Sequence, residues 1–170
     1  MDDFGFWYLL MAFIVVSWLA LPLHVAVHEF SHAVAARILS RSKIYIRLGK
    51  EVHGVWKHGS IELSFGLSRW RVGNFRYTEN GSNSWRQALV IAAGPLGTFI
   101  LTLIFASLVI SVDHTGAQIL FLPFVIYGLK ILLLSLYPSE IKDRVSGEII
   151  QTDGYKLSRI PWKTHSAANT

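Results

Sequence analysis

The chain contains no cysteine. A disulfide-stapled secreted scaffold is therefore excluded, and thiolate is removed from the possible nucleophiles and metal ligands. Charge is scarce as well. Asp, Glu, Lys and Arg make up 16% of the 170 residues, against about 25% in an ordinary soluble domain. That composition excludes a disordered tail and a charge-laced coiled coil. No Lys or Arg precedes Arg37, and Asp2 and Asp3 stand where a secretory signal would carry its basic start. What the chain does have is apolar surface: 52% of its residues are hydrophobic, and they are bunched. A length of 170 residues suits one domain.

Three apolar runs are long enough to cross a bilayer as helices, which takes about 20 residues. They cover about 4–27, 88–112 and 119–137. The helical pattern of the first continues without glycine or proline from His24 to Leu39 and ends near Ser40. A helix from Phe4 to Leu39 is roughly 54 Å long at 1.5 Å per residue, more than a bilayer core, so Pro22 marks a place for a kink or the end protrudes. Ten Lys or Arg stand against three Glu between Arg37 and Arg86, and five more basic residues follow Tyr137. By the positive-inside rule, the amino terminus lies outside a cell membrane, and both basic segments, with the carboxy terminus, lie in the cytoplasm. The net charge of +5 then faces anionic lipid. Because the basic residues flank spans and form no isolated patch, nucleic acid is not an expected partner.

The segment from about 43 to 84 is β-rich. Lys43 to Leu48, Ile61 to Phe65 and Asn74 to Thr78 alternate apolar and polar side chains, and Gly54, Gly59, Gly66 and Gly73 supply turns. The expected fold class is thus membrane α-helical: three transmembrane helices, with a small cytoplasmic antiparallel β-sheet of two to four strands inserted between the first and second. The whole chain forms a single membrane-embedded domain with a cytoplasmic tail over 138–170.

His28-Glu29-Phe30-Ser31-His32 is an H-E-x-x-H sequence on the first helix. At spacing i, i+4 two imidazoles share one face and can hold one zinc ion, and Glu29 between them is placed to take a proton from water. Three ionisable groups at the end of a membrane helix are costly unless they are used. His24, one turn earlier, continues the stripe. Three successive turns cannot all reach one ion, so His24 is expected to line the cavity or cap the interface. A hydrolytic zinc site needs a third protein ligand. Glu140, Asp143, Glu148 and Asp153 are the carboxylate candidates; His53, His58, His114 and His165 are the remaining imidazoles. With no cysteine, the donor set has to be histidine and carboxylate.

His28 to His32 after a long apolar run, then Ala93-Gly94-Pro95-Leu96-Gly97-Thr98, then Ser135-Leu136-Tyr137-Pro138 and Asp153-Gly154, resembles the site-2 protease family. Its members are intramembrane zinc metalloproteases with H-E-x-x-H, G-P-x-x-N and N-L-x-P followed by D-G, in that order. The resemblance runs from about Trp18 to Leu157. It implies His28, His32 and Asp153 as zinc ligands and Glu29 as the general base. It also places Gly94, Pro95 and Thr98 beside the catalytic cavity as substrate-positioning residues. Thr98 and Ser135 replace the family's usual Asn, keeping a hydroxyl and losing an amide. The gap from Pro138 to Asp153 is longer than the family's.

The expected activity is hydrolysis of a peptide bond in or near a transmembrane segment of a membrane-protein substrate, in the lipid bilayer, with Zn2+ as cofactor. Two rivals are an inactive membrane interaction protein that retains the fold and a metal-dependent enzyme acting on lipid. The intact His28-Glu29-His32 set argues against the first; the small number of histidines near the membrane face argues against the second.

Overall fold

A computed structural model describes residues 3–40, 43–49, 52–66, 73–78, 84–142 and 149–161. The apolar runs form three helices: α1 (Asp3–Ser40), α2 (Ser84–Ser111) and α3 (Thr115–Leu136). Each is long and apolar enough to cross a membrane. α1 is continuous through Pro22 over 38 residues. α2 and α3 each begin four residues before the apolar runs at 88 and 119, because Ser84 to Gln87 and Thr115 to Gln118 extend the helices beyond their hydrophobic stretches.

The three helices pack on one another with an inverted distribution of polarity. His24, His28, Glu29, His32, Thr98 and Thr102 are buried, whereas Val34, Ile110 and Leu133 lie on the outside. Apolar surfaces turned outwards along all three helices suit hydrocarbon, and most of the buried polar groups find partners inside the bundle. Thr102 does so by donating its hydroxyl to the Thr98 carbonyl at 2.7 Å.

Four strands follow α1 and precede α2: β1 (Ile44–Leu48), β2 (Gly54–His58), β3 (Ile61–Phe65) and β4 (Gly73–Tyr77). They form one sheet in the order β2-β3-β1-β4. The antiparallel expectation is corrected here, since β1 and β3 run parallel, in register from Ile44 opposite Ile61 to Leu48 opposite Phe65. The other two pairings are antiparallel. The physical reason lies in β2. It carries the chain back along the sheet, so β3 returns in the direction of β1 and sets Ile61 and Leu63 beside Ile44 and Ile46. Strand β2 escaped the sequence reading because it sits at the sheet edge with almost every side chain exposed, and an edge strand with no buried face need not alternate.

The core beside the site joins sheet and helices: Ala33 and Ala36 of α1, Ile44 and Ile46 of β1 and Val90 of α2. Full burial of Ile44 and Ile46 contributes about 1.5–3 kcal/mol each. The central strand is thereby clamped to the end of α1, and β4 is carried to the next turn of that helix. Residues 138–161 are folded where described: β5 (Glu140–Lys142) pairs antiparallel with β6 (Ile149–Gln151), and a short helix, α4 (Asp153–Ser158), packs on α2 and α3.

Candidate metal centre

On α1 the i, i+4 spacing brings the His28 and His32 rings to a centroid separation of 4.8 Å, edge to face. Each ring is fixed from behind. His28 Nδ1 lies 3.1 Å from Thr98 Oγ1, whose hydroxyl also contacts the Gly94 carbonyl at 3.3 Å. His32 Nδ1 lies 2.7 Å from the Val90 carbonyl oxygen, so His32 donates from that nitrogen. Its ring also stacks on Phe75 of β4, with centroids 5.3 Å apart and planes at 16°. Gly94 is needed for this packing: a Cβ there would run into the His32 ring. The G-P pair of α2 thus marks the turn on which His32 rests.

With Nδ1 engaged, both Nε2 atoms face one point. They are 3.3 Å apart. Asp153 Oδ2 completes a triangle, 2.9 Å from His28 Nε2 and 3.4 Å from His32 Nε2. Tetrahedral zinc with bonds of about 2.0–2.1 Å holds neighbouring ligands roughly 3.3 Å apart. Two of the three separations match that spacing and the third, 2.9 Å, is shorter by a few tenths of an ångström, so His28, His32 and Asp153 form a group that could hold one zinc ion after a small adjustment. All three residues are buried.

Asp153 reaches the centre because its short helix is tied down. Thr152 caps α4, accepting from the Tyr155 N–H at 3.3 Å and from the Ser139 N–H at 3.0 Å, and donating to the Tyr137 carbonyl at 2.7 Å. Gly154 packs directly on the end of α3, where a Cβ would strike the Leu136 carbonyl oxygen. The Asp-Gly pair is therefore a close-packed junction. Burial alone would raise the Asp153 carboxyl; hydrogen bonds from His28 and His32 and their nearby charge outweigh it and hold the group well below the usual carboxylate range.

Among the other carboxylate candidates, Glu140 is exposed on β5 and accepts from the Gln151 amide at 2.8 Å. Asp143 and Glu148 lie outside the described residues, as does His165. His53, His58 and His114 do not line the cavity at the centre. His24 neither lines it nor caps an interface, which corrects both expectations. It is fully buried against Thr102 and Gly128, and neither ring nitrogen reaches a hydrogen-bond partner, although the Phe124 backbone stands close to the ring.

The cavity has a volume of about 560 Å³. His28, Glu29, His32 and Asp153 lie at its inner end, β4 and β6 form two walls, and Lys156 projects from α4. Thr98, Gly94 and Pro95 are not part of its lining; all three are buried behind the histidines. A model of peptidase family M50 matches residues 16–162.

The chain belongs to peptidase family M50, the site-2 protease family.

M50 peptidases are metalloproteases and in general depend on zinc, in keeping with the histidine and carboxylate donors found here. Family membership and three helices able to cross a membrane together describe an integral membrane protein of metalloprotease type. A comparison with curated proteins gave no match. Three features of this M50 centre were missed in the sequence: the Val90 carbonyl behind His32, the Phe75 stack and the cation at Lys156. Only the last left a signal there, as a Lys three residues after Asp153 on an amphipathic stretch.

Proposed function

We propose that this chain is a zinc endopeptidase that hydrolyses a peptide bond in or near a transmembrane segment of a membrane protein. The carrying observation is the triangle of His28 Nε2, His32 Nε2 and Asp153 Oδ2 at zinc spacing, with Glu29 beside it in the same cavity. Held by these three residues, zinc supplies Lewis acidity towards the carbonyl and lowers the pKa of water. Glu29 takes one proton from the attacking water as the water oxygen bonds to the carbonyl carbon. It returns that proton to the amide nitrogen as the C–N bond breaks, leaving an amine and a carboxylic acid, which gives up its own proton to the amine or to water. The complete donor set and base speak against an inactive role.

A helical substrate hides its carbonyls in its own hydrogen bonds, so the scissile segment must be unwound. Strand β4 supports that reading. Among the described residues it pairs with β1 alone, at the end of the sheet, and all five of its residues line the cavity, so it can offer backbone groups to an extended segment. The 170 residues act as one membrane-embedded domain, with the amino terminus outside a cell membrane and the sheet, α4 and carboxy terminus in the cytoplasm. Distribution of Lys and Arg supports this orientation.

Cleavage of fluorescein-labelled casein by detergent-purified protein tests the activity. Turnover is expected in the zinc-loaded protein, is lost on chelation and returns on adding zinc. Turnover that survives full removal of metal sinks the reading.

Thr98 acts behind the metal as a positioning residue, keeping His28 Nδ1 occupied so that Nε2 faces the ion. Thr98→Val keeps the shape and removes the hydroxyl, and loss of such a partner costs about 10–100-fold in metal affinity. Chelator competition is expected to show that loss for Thr98→Val and near-normal affinity for Thr98→Ser. Equal affinity in wild type and Thr98→Val would count against the role.

A further inference from the structure

We propose that Lys156 is a further catalytic residue of this centre, donating a hydrogen bond to the scissile carbonyl oxygen as that oxygen gains negative charge. The inference rests on the protease reading above and adds a group that reading does not use.

Placement is the first argument. Lys156 lines the same cavity as His28, Glu29, His32 and Asp153. It stands three residues after Asp153 on α4, so both side chains leave the same face of the helix. That helix is anchored by the Thr152 cap and the Gly154 contact with Leu136, which fixes where the lysine stem begins.

Availability is the second. The two oxygens of Asp153 face different partners: Oδ2 meets the histidines, whereas Oδ1 lies 3.8 Å from Lys156 Nζ. A closed charge-assisted hydrogen bond is about 2.7–2.9 Å. At 3.8 Å the carboxylate attracts the ammonium towards the centre without occupying its donors, of which an ammonium has three. The side chain is 42% exposed, on the cavity side of a buried Asp153. Arg76, another cation lining the cavity, stands on the β4 wall and already has a partner.

Chemistry is the third. Attack of water on a peptide carbonyl places negative charge on its oxygen, and a fixed donor aimed there lowers the barrier most where water is excluded. Lys156 keeps its protons throughout; no bond to it forms or breaks.

The test uses the full chain in detergent, loaded with zinc, with labelled casein as the probe. Lys156→Met keeps the unbranched stem and removes the charge. It is expected to lower kcat by about 10²–10³-fold, the usual cost of losing one such donor, with KM little changed and zinc content equal to wild type. Lys156→Arg is expected to recover part of the loss. If the Met variant aggregates, Lys156→Gln supplies the same measurement. A kcat equal to wild type overturns the inference. So does a fall in kcat that merely tracks lost zinc, which would make Lys156 a support for Asp153 alone. Absence of cleavage by zinc-loaded wild type removes the protease reading itself, and this inference with it; cleavage by wild type that is indifferent to Lys156 removes this inference only.

Discussion

Glu29→Gln is expected to abolish peptide cleavage while leaving the metal in place. Glutamine has the length and shape of glutamate, so the α1 turn between His28 and His32 is undisturbed. What it lacks is basicity: an amide oxygen cannot take the proton that water must lose as it attacks. Correctly placed proton transfer contributes about 10²–10⁴-fold, and in the proposed mechanism one carboxylate serves twice, first as base and then as acid towards the leaving amine. A fall in kcat of that size or more, with zinc content equal to wild type by elemental analysis, is the expected result. Cleavage that persists in Glu29→Gln shows that another group moves the proton. Among the described residues, Asp153 is the other carboxylate lining the cavity, and its Oδ2 is already turned to both histidines.

Asp153→Ala is expected to strip the protein of zinc. The substitution removes one of three donors, the only anionic one, and leaves two neutral imidazole nitrogens 3.3 Å apart. Loss of a group that only supports a ligand costs about 10–100-fold in affinity; loss of the ligand itself should exceed that. Asp153→Glu is not expected to rescue binding, because α4 is held by the Thr152 cap and the Gly154 junction and cannot retreat by a methylene. Zinc content and chelator competition check both variants. Stoichiometric zinc in Asp153→Ala would place the third ligand elsewhere, with Glu148 and Asp143 the first to examine.

Both expectations begin from residues that can be read without coordinates, but to different depths. His28, Glu29 and His32 lie within five consecutive positions of one helix, and helical geometry alone puts the two rings on one face. Asp153 is different. Its separation from His28 spans 125 positions, and no periodicity links them. A resemblance in the order of short motifs singled it out; the contact itself depends on the β5–β6 hairpin, the Thr152 cap and a glycine lying directly on the Leu136 carbonyl. Thr98 shows the limit of position matching. The motif order suggested a residue facing substrate, whereas the fold turns its hydroxyl to His28 Nδ1.

The sheet divides in the same way. Alternation in Lys43 to Leu48 marked β1, with Ile44 and Ile46 buried and Tyr45 and Arg47 exposed. The parallel pairing of β1 with β3 was not legible, since alternation tells which face is buried and is silent on the direction of a neighbour.

By itself the sequence determined the local chemistry of this protein: three apolar helices, a cysteine-free donor set, and two histidines flanking a glutamate at the spacing of one helical turn. These follow from composition and from short-range periodicity, which act within a few residues. Tertiary structure alone decided how Asp153 meets the histidines, what holds each ring from behind, which strands line the cavity and that Lys156 lines it with them. Those are contacts between segments far apart in the chain. They are settled by packing against Gly94 and Gly154 and by the need of buried polar groups for partners, neither of which is written in any local pattern.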